Sequence, residues 1–171
     1  RGHPSDFDRW AEKSGFANWT YGNCLPYFKK LETFSGGASR YRGGGGPVSV
    51  IAPEFSSPLC SVFAEACKAA GHRWNPDNNG EFQEGFGRMD QTIRGGQRES
   101  AATAYLNPIP DRKNLHIQCG STTTRILLRG NCAEGVEIRN GGRTQRIRSR
   151  QDTILSAGSI DSPRLLLLSG I

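Results

Sequence analysis

The sequence predicts a mixed fold, α/β combined with α+β, and three stretches carry that prediction. Leu59, Val62, Phe63, Ala66, Cys67 and Ala70 recur at helical spacing and form one apolar stripe. From Asn114 onward, short alternating runs separated by turn residues read as an antiparallel meander. Thr153, Ile154 and Leu155 then read as an apolar strand that passes through Ala157-Gly158 into a helix ending in four leucines, an α/β unit.

Taken in order, the first segment pairs Ser5 with Asp8 in the manner of a capping box, ahead of a helix bearing Phe7, Trp10 and Ala11 and stopped by Gly15. Tyr21, Cys24, Leu25, Phe28 and Leu31 predict a second helix, whose Pro26 is tolerable if Asn23 caps it. FSGGASRYRGGGG holds six glycines, denies a regular element, and makes the best internal boundary. The predicted organisation is therefore a helical segment over 1–40, a second portion over 41–113, and a third over 114–171.

Pro47 to Ile51 reads as a strand, and Ser57-Pro58 supplies an N-cap and first-turn proline to the striped helix, which Gly71 ends. Arg88 to Ile93 alternates as a strand running into a Gly95-Gly96 turn. Ser100 caps a helix through Tyr105 that Pro108 terminates. In the meander the strands are LHI, TTRILL, EGVEIR and TQRIRS, with Asn140-Gly141 as a type I′ turn; Ser162-Pro163 open the last helix.

Composition narrows the function. The formal charge is +6, and basic residues thicken in IRNGGRTQRIRSR, where they alternate along strands as a solvated sheet face does. No aromatic residue interleaves them, so nucleic acid is not the expected partner. No run approaches the roughly 18 apolar residues of a membrane span, and the opening RGHPSDFDRW lacks the apolar core of a signal peptide. The expectation is a cytoplasmic protein, or one whose true start lies upstream. Cys24, Cys60, Cys67, Cys119 and Cys132 are odd in number, form no CxxC and have no histidine nearby at metal spacing, which predicts reduced, mostly buried thiols and no metal site. Asn18-Trp19-Thr20 matches a glycosylation sequon of the kind that arises by chance.

His3, His72 and His116 are scattered and no G-x-S-x-G elbow is present, so no catalytic residue is assigned. No G-x-G-x-x-G follows a strand, and the Gly43–Gly46 run reads as a hinge or turn. The turn Leu155-Ser156-Ala157-Gly158 leaves two readings open. Small residues there permit either close backbone approach to a ligand or a tightly packed strand–helix joint.

The closing run Gly158-Ser159-Ile160-Asp161-Ser162-Pro163-Arg164-Leu165-Leu166-Leu167-Leu168-Ser169-Gly170-Ile171 resembles the second sequence signature of the glucose–methanol–choline oxidoreductases, short of its last glycine. Arg1-Gly2-His3-Pro4-Ser5-Asp6-Phe7-Asp8 looks like the tail of that family's first signature. Between them W-T-Y-x-x-C-L-P-Y-F-K-K-L-E, Y-R-G…G-P-V-S-V, N-G-x-x-Q-E-G-F-G, G-x-R-x-S-A-A-x-A-Y-L and T-R-I-L are collinear with the family, most closely with its choline dehydrogenase-like branch.

The resemblance implies part of an FAD-binding Rossmann-like domain joined to part of an antiparallel-sheet substrate domain, both incomplete. It implies FAD as cofactor and a small-molecule alcohol as substrate, oxidised by hydride transfer to the flavin. Residues 41–113 would belong to the substrate domain and 114–171 to the FAD domain. Carried over, Ala157 and Gly158 fall where the family's strand-to-helix turn approaches the cofactor. Thr123 stands where the family usually has a valine whose backbone meets the adenine. Nothing matches the family's catalytic histidine, so the isolated chain is expected to be inactive. With neighbouring strands of both domains missing, uncovered edges and apolar helix faces predict poor solubility or partial disorder. The alternative is a non-catalytic module keeping the family scaffold as a basic binding domain.

Overall fold

The computed structural model describes every residue except Phe55. Its contacts divide the chain into two compact units, Arg1–Arg112 and Lys113–Ile171.

In the first unit, α1 (Pro4–Ser14) is capped by His3, whose Nδ1 accepts the Ser5 N–H at 3.3 Å. The cap lies two residues ahead of the predicted Ser5, because the fixed φ of Pro4 suits the first helical position. Gly15, at φ 71°, ends the helix as predicted. Helix α2 (Tyr21–Leu31) also begins ahead of its predicted cap, Asn23. Its first N–H, that of Tyr21, is satisfied from α1 by Asp8 Oδ1 at 3.0 Å, a partner the local sequence does not reveal. Pro26 removes the bond to Gly22, which is exposed and leaves its carbonyl to water. Phe7 joins the helices, packing edge-on against Phe28 at 5.5 Å and tilted against Tyr21 at 5.8 Å.

Strands β1 (Glu32–Phe34) and β2 (Val48–Val50) pair in parallel across the glycine-rich loop. That loop packs closely at two of its glycines. A Cβ on Gly43 would run into the Lys29 carbonyl, and one on Gly46 into the Leu31–Glu32 backbone, so these positions are glycine for closeness.

Helix α3 (Pro58–Ala69) starts where predicted, with Ser57 Oγ accepting the Leu59 N–H at 3.3 Å. Its stripe is not buried: Leu59, Val62 and Phe63 are 77%, 62% and 66% exposed. Cap and proline form the helix locally, whereas periodicity states only which face needs cover. The strand predicted over Arg88–Ile93 shrinks to β3 (Ile93–Arg94), paired across Gly95-Gly96 with β4 (Gln97–Arg98). Beyond it Ser100 and Thr103 cap each other's backbone N–H, and a short helical stretch runs from Ala102 to Leu106.

The second unit is a three-stranded antiparallel sheet, β5 (Thr122–Arg129), β6 (Cys132–Asn140) and β7 (Arg143–Arg148), in that order, with α4 (Gly158–Leu168) against β5. The LHI segment is not a strand. The last hairpin closes on Asn140 and Arg143, so Gly141 and Gly142, at φ 54° and 80°, fill the turn one residue later than predicted. Thr153–Leu155 pairs with no strand, since the residues described offer it no ladder, and Ile154 is 85% exposed. Helix α4 starts at Gly158, ahead of the predicted Ser162-Pro163, and Ser162 lies inside it with its Oγ reaching back to the cap residue Ala157.

Ile126, Ile138 and Leu165 form the buried core of this unit. Ser169 fastens it, its Oγ accepting the Ile126 N–H at 2.8 Å and donating to the Leu165 carbonyl at 2.6 Å. Ser169→Ala is expected to cost about 1–2 kcal/mol in denaturant unfolding, since it strands a partly buried N–H. The cysteines depart from expectation, for none is buried: Cys24, Cys60 and Cys67 are half-buried, while Cys119 and Cys132 are exposed in a loop and at a strand start.

Candidate functional site

The turn before α4 is built from backbone. Gly158 has φ 92°, and a Cβ built there would meet nothing within 4 Å. The left-handed backbone, not crowding, selects glycine, and the surface beside it is open. Ala157 is the N-cap, and its N–H donates to Ser162 Oγ at 3.0 Å. No side chain caps α4, so the N–H groups of Gly158, Ser159 and Ile160 have no intrahelical acceptor and can serve a ligand. Asp161 sits in the same first turn, paired with Arg164 at 2.8 Å. Its carboxylate disfavours an anion, so the turn suits an uncharged polar edge.

Thr123 lies on β5, half-buried, opposite Ile138. The register slips between Thr123 and Arg125, which makes Thr124 the extra residue of a bulge. Since β5 is an outer strand, backbone groups beside the bulge are available to a ligand. Ala157 and Gly158 are thus adjacent, and Thr123 stands on another element with no hydrogen bond to either. The helix meets β5 through Ser169, at its opposite end, about 16 Å along the axis from Gly158.

Sequence reasoning missed the most buried polar group. Arg42 is 1% exposed. Its Nε donates to Glu32 at 3.1 Å and its Nη1 to Asp77 and Asp90, each at 2.7 Å, while its Cζ lies 3.6 Å from the Phe34 ring centre. Burial works against its charge, but the Asp90 hydrogen bond and the charges of Asp90, Glu32 and Asp77 outweigh this and hold it above the ordinary value. Around it Asn75 Nδ2 donates to the Phe82 and Glu84 carbonyls, and its Oδ1 accepts the Asp77 N–H. This network seats residues 75–90 on β1. A single arginine beside glycines carries no local signal of such burial.

Glu99 is buried, accepts Arg94 Nε at 2.6 Å and receives the Ser49 N–H, tying β2 to the β3–β4 hairpin. Arg94 first, then Ser49, holds its carboxyl below the ordinary glutamate range. Stability from this depressed group is present above pH ~4.3 and is lost as pH falls through the lower folded value. An acid series of thermal unfolding should show that loss, and Glu99→Gln should flatten it.

No cluster of three or more His, Cys, Asp or Glu is placed to hold a metal among the described residues. No helix among them is long and apolar enough to cross a membrane.

Residues 1–171 match the family model described as GMC oxidoreductase. The whole chain is 47% identical to an oxygen-dependent choline dehydrogenase of Rhizobium etli, covering 31% of it, and 46% identical to the mitochondrial choline dehydrogenase of Homo sapiens, covering 29%. It thus spans about a third of the length of these relatives. Among solved structures, pyridoxine 4-oxidase from Mesorbium loti superposes over the whole chain and 34% of its own, with a TM-score of 0.86 and 35% identity. An FAD-dependent oxidoreductase from Chaetomium thermophilum does so over 32% of its own chain, with a TM-score of 0.88 and 28% identity.

Proposed function

The chain belongs to the GMC oxidoreductase family, and from that premise we propose that it forms part of an FAD-dependent enzyme oxidising a small-molecule alcohol. FAD, when bound, supplies the hydride acceptor. The observation that carries the reading is the family match across all 171 residues. The names of the relatives, choline dehydrogenases and pyridoxine 4-oxidase, support an alcohol carbon as the point of attack.

Within this reading Ala157 and Gly158 are the chain's contribution to the cofactor site. Their open surface, the positive φ of Gly158 and the free first-turn N–H groups fit close approach by an uncharged part of FAD. Thr123 would add a backbone contact from the bulged outer strand, which is insensitive to its side chain. Residues 41–113 would be a portion of the substrate domain and 114–171 a portion of the FAD domain, with 1–40 a helical segment ahead of them. The division of contacts between Arg112 and Lys113 supports the second of these boundaries.

Flavin content tests the assignment. In the full-length protein, Gly158→Asp is expected to lower bound FAD, read from visible absorbance, at least tenfold with the far-UV circular dichroism unchanged. Thr123→Val should leave it intact. Full flavin retention by Gly158→Asp would remove this turn from the cofactor site.

A further inference from the structure

Charge is unevenly distributed between the two units. Residues 113–171 hold nine of the 22 Lys and Arg but four of the 16 Asp and Glu, so they carry +5 of the net +6. Eight of the nine are arginine, and the segment contains no Phe, Trp or Tyr.

All six residues of β7 are exposed, and among the described residues the order β5-β6-β7 leaves its outer edge without a neighbouring strand. Because the hairpin closes on Asn140 and Arg143 across two glycines, Arg143, Gln145 and Ile147 exchange backbone hydrogen bonds with β6. The N–H and C=O groups of Thr144, Arg146 and Arg148 therefore turn outward. The side chains of those same residues share one face. There Arg146 meets Glu137 at 3.4 Å and Arg148 meets Glu134 at 3.1 Å. Each glutamate also receives an arginine from β5, Arg125 at 3.0 Å on Glu137 and Arg129 at 2.5 Å on Glu134. The result is two Arg–Glu–Arg rungs, each with a surplus positive charge and guanidinium donors to spare. Arg139, Arg143 and Arg150 add charge with no carboxylate partner among the described residues.

Arginine on an edge strand blocks pairing with a second copy, since two β7 edges would set like charges face to face. An acidic strand meets the opposite field. Without aromatic residues the face cannot stack bases or anchor in a bilayer interface, and arginine forks match carboxylates well.

We propose that the outer edge of β7 is a docking strand for an extended acidic segment of a partner protein. The segment adds as a fourth strand through the backbone of Thr144, Arg146 and Arg148. Its alternate carboxylates lie over Arg146 and Arg148, and the residues between them face Gln145 and Ile147. The chemistry recognised is Glu or Asp alternating with β-branched apolar residues.

Fluorescence anisotropy of a labelled decapeptide alternating Glu and Val, titrated with the full-length protein, tests this. Binding is expected, weakened at least tenfold by the double substitution Arg146→Glu with Arg148→Glu. N-methylation of alternate peptide amides should weaken it as much without altering the protein, and hydrogen exchange should slow at Thr144, Arg146 and Arg148. Absence of binding, equal binding by the N-methylated peptide, or indifference to the double substitution overturns the proposal.

Discussion

Arg42→Met is expected to lower the free energy of unfolding by about 3 kcal/mol or more, in the range of removing one partner from a buried ion pair. The substitution leaves Glu32, Asp77 and Asp90 facing one another around an apolar side chain. Glu32, 7% exposed at its side chain, keeps Arg1 and the Gly43 N–H as partners, Asp90 keeps the Asn79 amide, and Asp77 at 29% can rehydrate. These remaining partners place the expected loss toward the lower end of the 3–5 kcal/mol range. Urea unfolding of the full-length protein measures it. A double-mutant cycle with Asp90→Asn should give a coupling of about 1 kcal/mol or more if the network acts as a unit. A change below about 0.5 kcal/mol would remove Arg42 from the stabilising core.

Gly135→Val is expected to cost about 3 kcal/mol. Gly135 has φ 142°, and its Cβ would enter the Ile147 carbonyl on the adjacent strand, so backbone strain and a steric clash combine. The register slips beside it, between Leu127 and Leu128, and Glu134 becomes the extra residue of β6. Strict alternation would send Glu134 and Glu137 to opposite faces. The bulge sets both on the arginine face, so the valine variant should also unpair the rung through Glu134. Gly141→Asn is the control, because φ 54° in a hairpin turn accommodates asparagine at a few tenths of a kcal/mol. Similar losses for the two variants would refute the bulge argument.

These positions show where the sequence was readable. Several signals confined to a few neighbouring residues translated directly: Ser57-Pro58 opened α3, Gly15 closed α1, and three of the four meander strands formed with their glycine turn displaced by one residue. The caps read at Ser5 and Asn23, however, gave way to His3 and Thr20. Signals depending on a distant partner did not translate. Asp8 satisfies Tyr21 across two helices, Ser169 satisfies Ile126 across 43 residues, and Arg42 collects carboxylates from three separate stretches. The stripe on α3 was read correctly as a pattern, but its burial was not, because cover is a property of what lies opposite. Of the candidate site, the turn at Ala157-Gly158 was visible as small residues between a strand-like run and a helix. Its open surface and left-handed glycine are backbone facts with no residue code beyond the glycine itself.

The reach of Arg42 also bears on time. Its partners begin at Glu32 and end at Asp90, so the ion cluster cannot assemble until the intervening chain has ordered. Contacts of that span close late on a folding route, after local hairpins and helices have formed. Arg42→Met should therefore act on the escape rate from the native state, steepening unfolding while leaving refolding nearly unchanged. The buried guanidinium is in that sense a latch, and it sets how long the first unit persists once folded.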